Sequence, residues 1–156
     1  QRDEDPIDVL QTCNAHDTLM FIMNNGRVYV EKAYEIPEAS RTSKGRNIIN
    51  LLNMPKDEKI ATVLIVDSFD SEDSIVLCTK RGIVKKSLIS QYRNHRKGGI
   101  IGIRIDVGDS VLKAMIATPK DHLLILTNHG KGLRLPCSSW VVHTYSTRNL
   151  RALDGP

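Results

Sequence analysis

The chain has few aromatic residues, few cysteines and no long hydrophobic run. Aromatic residues make up 4% of its 156 positions, so any core must be built from Ile, Val and Leu. The three cysteines, Cys13, Cys78 and Cys137, form no CxxC pair, and this odd number is typical of reduced thiols in a cytosolic protein. Because there is neither a run of about 18 apolar residues nor a signal-peptide pattern, we expect a cytoplasmic protein rather than a membrane-spanning or secreted one.

The residue patterns of common catalytic and metal sites are also missing. The five histidines form no HxxxH or HExxH pattern, and none pairs with Cys at zinc spacing. Ser138 and Ser139 lack a GxSxG context. Gly98 and Gly99 do not belong to a GxxxxGK[ST] phosphate loop, and they favour either a sharp turn or a close approach of phosphate to the backbone. We therefore predict no catalytic residue, metal site or cofactor site here, which disfavours an enzyme that acts alone.

What the chain does contain is one pattern that occurs three times. An Asp opens a short apolar run and a Gly follows nine positions later, in residues 17–26, 73–82 and 121–130. Each copy predicts a strand, a tight turn and a second strand, and the nearly continuous apolar first arms predict strands buried on both faces. The glycines are 56 and 48 residues apart, a spacing that indicates a repeat architecture.

Two further pieces recur between the hairpins. A basic, Gly-containing segment occurs at 43–49 and 96–104, and an acidic turn leads into an apolar strand at 57–66 and 108–117. About four strands in roughly 50 residues is the size of a propeller-like blade. No stretch has sustained helical periodicity, and residues 87–92 predict one helical turn at most.

The sequence thus predicts an all-β fold, a partial array of propeller-like blades of about four antiparallel strands. The array is expected to span residues 12–136. Its predicted parts are blades at 12–66 and 67–117 and an incomplete blade at 118–136, with an acidic segment at 1–11 and a divergent tail at 137–156.

Charge is segregated with the same period. The net charge is +4, yet residues 74–105 contain eight Lys and Arg residues and no acid, and residues 39–56 are also free of acids. Equivalent positions of stacked repeats align in space, so the cations should form a stripe, the footprint of a polyanion binder. Only Tyr92 is an aromatic neighbour, which favours contacts to a duplex backbone over base stacking. An alternative is a propeller-type module that binds an acidic protein.

Several segments resemble a known family, namely Gly26–Tyr29, Tyr34–Arg41, Lys44–Leu52, Gly82–Lys86 and Gly130–Arg134. They are similar to the C-terminal domain of bacterial DNA gyrase A over about residues 12–136, with the corresponding domain of topoisomerase IV as a close second. The resemblance implies a β-pinwheel whose basic outer surface wraps duplex DNA and supports negative supercoiling. It places ATP, Mg²⁺ and DNA cleavage elsewhere in a type IIA topoisomerase, where the rest of gyrase A and the whole of gyrase B would be partners.

Charge pattern and resemblance together select the candidate DNA-binding residues, which are all basic. They are Arg41, Lys44, Arg46, Lys80, Arg81, Lys85, Lys86, Arg93, Arg96, Lys97, Arg104, Lys131 and Arg134. The chain departs from the family in lacking the Gln-Arg-Arg-Gly-Gly-Lys-Gly box, which Arg96–Gly99 only echoes. A full domain has about six blades and this chain about half of them, so we expect an incomplete array whose end needs capping.

Overall fold

The computed structural model describes residues 7, 9–45, 47–139 and 144–146, and this part of the chain is nearly all β. The predicted all-β class is confirmed. In chain order the strands are β1 (Thr18–Met23), β2 (Arg27–Lys32), β3 (Ile60–Val66), β4 (Ser74–Thr79), β5 (Ile83–Leu88), β6 (Ile100–Ile101), β7 (Val111–Ala117), β8 (His122–Leu126), β9 (Gly132–Pro136) and β10 (Thr144–Ser146). The helical elements of the same residues are α1 (Ile48–Leu52) and the 3-10 turns Ala33–Glu35, Ile89–Tyr92 and Cys137–Ser139.

The three predicted hairpins are present as β1–β2, β4–β5 and β8–β9, all antiparallel. Each tight turn ends in a glycine with positive φ: +88° at Gly26, +84° at Gly82 and +78° at Gly130. Glycine adopts this conformation without a Cβ clash, which explains its fixed place in the pattern. The acidic turns also lead into strands as predicted, namely β3 and β7.

The hairpins are built into sheets that exchange strands. The first sheet has the order β3-β1-β2-β6 and the second β10-β5-β4-β7. Strand β6 follows the second hairpin in sequence, yet it pairs with β2 of the first sheet, and β10 follows the third hairpin yet pairs with β5. The first sheet thus takes a strand from outside the predicted blade 12–66, because a segment's β propensity does not specify its partner strand.

The core joins the sheets through aliphatic side chains. Met20 and Ile22 of β1 are fully buried against Ile75 and Leu77 of β4 in one cluster. Strand β1 is buried along its whole length and β4 almost so, as predicted for strands covered on both faces.

The third hairpin does not follow this prediction. Leu123 and Ile125 pack against the second sheet, whereas Leu124 and Leu126 of the same strand are 63% and 71% exposed. Expecting β8 to be buried on both faces was therefore wrong. Among the described residues, β8 has a packed layer on one face only.

The sheets converge along one edge. Strand β3 of the first sheet lies against β7 of the second, and the Val111 N–H donates to the Asn24 carbonyl at 2.9 Å. Strands β6 and β10 lie at the opposite ends of their sheets. We call the side of β6 and β10 the outer edge.

Helix α1 was not predicted from the sequence. The Asn47 side chain accepts from the Ile49 N–H at 3.1 Å, and Asn53 ends the helix with φ of +52°. Both are recognised capping arrangements, and buried Leu52 packs on β1 together with Met54. Within the described residues, no helix has the length and apolar character needed to cross a bilayer.

Candidate nucleic-acid interface

Residues Arg96–Gly99 form an exposed basic loop immediately before β6 at the outer edge, which we call the basic loop. The Gly99 N–H donates to the Arg96 carbonyl at 2.9 Å, and Gly99 has φ of +76°. A Cβ on Gly99 would lie 3.0 Å from the Val28 carbonyl oxygen, so glycine permits both the turn and the close approach of two backbones. The predicted sharp turn is confirmed.

The basic loop belongs to the second repeat but is fixed on the first hairpin. Beyond the β2–β6 ladder, the Gly102 N–H donates to the Gly26 carbonyl at 2.9 Å. The Arg27 guanidinium donates through Nη1 to the Gly98 carbonyl at 2.7 Å. Exposed Arg96 and Lys97 are therefore carried by a turn that both backbone and side-chain hydrogen bonds attach to the neighbouring sheet.

Behind Arg27 lies a buried carboxylate, Glu58, in the turn before β3. Glu58 is 7% exposed and accepts from Asn25 Nδ2 at 2.8 Å and from the Tyr29 hydroxyl at 2.9 Å. Its Oε1 lies 3.4 Å from Arg27 Nε, which makes an ion pair. Burial and then the hydrogen bond to Glu58 raise the pKa of Tyr29 from its ordinary 10.0 to about 12. We call Asn25, Arg27, Tyr29 and Glu58 the Glu58 network.

Sequence reasoning did not select the members of the Glu58 network. It recognised Glu58 only as part of an acidic turn, and Arg27 only as part of a hairpin and of a segment that resembles the family. No repeated sequence signal marks this pair, because the second repeat has Asp109 in its acidic turn and Ile83 after its hairpin glycine. Arg27 and Glu58 are 31 residues apart in the sequence, so their contact depends on how the first hairpin packs against the turn before β3.

The second repeat has a different arrangement at the equivalent place. Asp109 Oδ1 accepts from the backbone N–H groups of Arg81 at 3.1 Å and Ser110 at 2.8 Å. Burial alone would raise the pKa of Asp109, but hydrogen bonds from Thr79, Ser110 and Arg81, with the Arg81 charge, hold this pKa below its ordinary 3.8. Ile83 occupies the position that corresponds to Arg27, so Asp109 has no cationic partner at that position.

Two candidate lysines lie inside the structure. Lys86 is buried, and its ammonium donates to the Cys137 carbonyl. Lys85 is half-buried and donates to the Gly102 carbonyl at 3.0 Å, which joins the second sheet to the segment that follows the basic loop.

Two candidate arginines contact neighbouring loops. Arg93 pairs with the carboxylate of Asp70 and is exposed. Arg81 is also exposed and donates to the Val107 carbonyl at 3.3 Å.

The remaining described candidates are exposed to solvent. These are Arg41, Lys44, Lys80, Arg96, Lys97, Arg104, Lys131 and Arg134. Arg46 lies outside the described residues. Arg96 and Lys97 directly precede β6 and Arg104 follows it, whereas Lys131 and Arg134 belong to the third hairpin.

No group of three or more His, Cys, Asp or Glu side chains in the described ranges could hold a metal ion. The exposed basic residues offer guanidinium and ammonium donors on a β scaffold. Such donors bind anionic oxygen atoms.

Two four-stranded sheets, each completed by a strand from the following repeat, define a propeller-like repeat domain with a basic outer edge. The model of the DNA gyrase C-terminal domain, beta-propeller, matches residues 17–67, 73–118 and 121–139. The chain belongs to this family, the C-terminal domain of DNA gyrase A, which is a domain of type IIA topoisomerases.

Relatives agree with this assignment, and solved structures share the fold. The DNA gyrase A protein of Clostridium acetobutylicum is 38% identical over 133 residues, which are 85% of this chain and 16% of that protein. A crystal structure of the C-terminal domain of DNA topoisomerase IV shares the fold with a TM-score of 0.71 at 23% identity, over 84% of this chain and 41% of that one. A DNA gyrase A C-terminal domain shares it with a TM-score of 0.67 at 23% identity, over 86% and 42%. The chain thus spans about a sixth of the curated relative's length.

Proposed function

We propose that this chain binds duplex DNA along its outer edge and bends it, as the non-catalytic wrapping part of a gyrase-type topoisomerase. The observation that carries the proposal is the basic loop, in which two exposed cations are held on a backbone fixed between two sheets. Family membership supports the same function.

The electrostatics favour a phosphate ligand. Residues 74–105 contain no acid, and Arg96, Lys97 and Arg104 are exposed around β6. Each Lys or Arg that neutralises a phosphate releases condensed counterions, so binding should weaken steeply with salt. Phosphate contacts carry no sequence information directly, so binding should tolerate many sequences.

The rigidity of the basic loop favours bending over loose association. A side chain on a fixed backbone loses less conformational entropy when it binds than one on a mobile loop. Because the family is propeller-like, cations on the outer edges of successive sheets would hold a duplex along a curved path. Bending costs elastic energy that such contacts offset.

At the level of the whole protein, we propose that this domain presents wrapped DNA to a catalytic core formed by the rest of gyrase A together with gyrase B. ATP and Mg²⁺ would bind in those other parts, in the bacterial cytoplasm. The domain would then contribute handedness to strand passage, and with it the sign of the supercoils.

A salt titration of duplex binding tests the assignment of the basic loop. Replacing Arg96 and Lys97 together with Ala should reduce the slope of log affinity against log salt concentration by about 1.8, because each phosphate contact contributes about 0.9. The matched control replaces Lys113 and Lys120, two exposed lysines on and after β7, and changes the net charge equally. Equal slopes for the unaltered chain and the Arg96/Lys97 variant would show that the basic loop does not contact DNA phosphates.

A topology assay tests wrapping itself. Nicked circular DNA is ligated with the chain bound, and the sign and number of the trapped supercoils are read after the protein is removed. Wrapping predicts a shift of one sign that grows with protein concentration. Tight binding of both DNA and heparin without any change in linking number would instead favour a surface for an acidic protein partner.

A further inference from the structure

We propose that Glu58 is a positioning residue for DNA binding: it holds Arg27 against the Gly98 carbonyl, and so fixes the basic loop in place. The proposal rests on the proposed function and deepens it. It assigns a favourable role in DNA binding to a buried acid, which is opposite to what the sign of its charge suggests.

The geometry gives Arg27 two partners, a buried carboxylate and a loop carbonyl. Its Nε lies 3.4 Å from Glu58 Oε1, and its Nη1 donates to the Gly98 carbonyl at 2.7 Å. The guanidinium is planar and its donors form a rigid fork, so fixing one nitrogen restricts the direction of the other. Arg27 thereby connects a buried carboxylate of the first repeat to the loop of the second.

Glu58 is itself held in one orientation. Its Oε1 accepts from Asn25 Nδ2 and its Oε2 from the Tyr29 hydroxyl, so both carboxylate oxygens have partners. The backbone directly after Glu58 is fixed as well, because the Asn24 N–H donates to the Lys59 carbonyl at 2.8 Å. Glu58 therefore provides a rigid anchor for Arg27.

The loop needs such an anchor because β6 is short. It contributes two residues to the sheet, Ile100 and Ile101, and the cations Arg96 and Lys97 precede it. The Arg27 hydrogen bond reaches the loop at Gly98, between these cations and the strand. Without the bond, the turn would be held from its β6 side only.

The second repeat shows that the anchor is not a general requirement of the fold. Asp109 occupies the place of Glu58 and stabilises its turn through backbone N–H groups. Ile83 occupies the place of Arg27 and cannot form an ion pair. The combination of Glu58 with Arg27 therefore goes beyond what the turn itself requires, and its additional contact is with the basic loop.

The first test compares Glu58→Gln with Asp57→Asn, which removes the same charge from the exposed neighbouring residue. Affinity for a short duplex and the bend angle, from energy transfer between its labelled ends, are measured at one salt concentration. Removing the exposed Asp57 carboxylate should leave affinity unchanged or raise it up to about twofold. E58Q should instead lower affinity about three- to tenfold, which corresponds to the net contribution of about one ordinary hydrogen bond, and reduce the bend.

The second test separates positioning from general stability. E58Q is combined with the Arg96/Lys97 double Ala variant, and both DNA affinity and thermal unfolding are measured. If Glu58 acts through the basic loop, E58Q has no further effect on affinity once the loop cations are gone, while its effect on unfolding persists. Arg27→Lys keeps the charge but cannot bridge both partners, so it should reproduce E58Q and serves if E58Q does not fold.

The outcomes are distinguishable. E58Q that binds as tightly as D57N, or that loses the same affinity with and without the loop cations, would overturn the role of Glu58 while leaving DNA wrapping intact. Failure of the unaltered chain to bind and bend DNA would overturn the proposed function, and the role of Glu58 with it.

Discussion

Replacing Gly26 with Ala should destabilise the protein far more than replacing Gly130, although both residues end equivalent hairpin turns. Gly26 has φ of +88° and Gly130 has φ of +78°. The two sites differ in their surroundings. A Cβ on Gly26 would lie 2.2 Å from the Ile103 carbonyl oxygen, whereas a Cβ on Gly130 would meet no atom within 4 Å.

The magnitude follows from these contacts. Left-handed backbone costs a residue with a Cβ about 1–2 kcal/mol, and this cost applies to both variants. In Gly26→Ala the segment at Ile103 must also move, which breaks the hydrogen bonds from Gly102 and Ile103 to the Gly26 carbonyl at 2.9 and 3.3 Å. Each bond contributes about 0.5–1.5 kcal/mol, and displacing buried Ile103 loses part of about 1.5–3 kcal/mol of burial. We expect about 4 kcal/mol or more for Gly26→Ala and about 1–2 kcal/mol for Gly130→Ala.

Urea denaturation followed by far-ultraviolet circular dichroism measures both free energies of unfolding. The difference between the two variants reports the contact between the first hairpin and the segment after β6, because the local turn cost is common to both. If the two variants lost equal amounts of stability, the pairing of β6 with the first sheet would not be a significant source of stability.

The titratable groups provide two further predictions. Burial raises the pKa of Tyr29 and of Tyr92 to about 12, and the hydrogen bond to Glu58 contributes to the rise at Tyr29. Because the unfolded chain loses these protons near pH 10, the free energy of unfolding should fall as the pH rises from about 10 to 12. Each Tyr→Phe variant should remove one late step from an absorbance titration of the folded protein. Phenolate formation complete by about pH 11 in the folded protein would contradict this. The lowered pKa of Asp109 contributes stability that is present above its ordinary 3.8 and lost as the pH falls through the folded value, so Asp109→Asn should lower the melting temperature at pH 7 and flatten its decline in acid. If the melting temperature of Asp109→Asn declined in acid as steeply as that of the unaltered chain, the Asp109 hydrogen bonds would contribute little to stability.

The hairpins were predictable because local chemistry specifies them. A turn at positive φ requires glycine, and Gly26, Gly82 and Gly130 mark the three turns in the sequence as they do in the structure. Helix α1 was missed for a related reason. It is five residues long, too short for hydrophobic periodicity, and the caps at Asn47 and Asn53 specify it.

The sequence predicted which segments of the candidate interface are basic, but not which of their side chains are exposed or what they contact. Counting charges located the basic stretch that contains Arg96 and Lys97. Counting charges could not distinguish these residues from Lys86, which is buried and donates to a backbone carbonyl. A lysine adds the same charge to the count whether it is buried or exposed. Nor could counting charges show that Arg27 contacts both Glu58 and the Gly98 carbonyl, since these contacts join two repeats.

The sequence by itself determined the repeat, the hairpins and the segregation of charge, since each depends on residues close together in the chain. Tertiary structure alone decided that β6 of the second repeat completes the first sheet, and that Arg27 bridges Glu58 to the basic loop. The physical reason is that a strand's backbone groups pair with any available edge of suitable register. Which edge is available depends on how the whole chain packs.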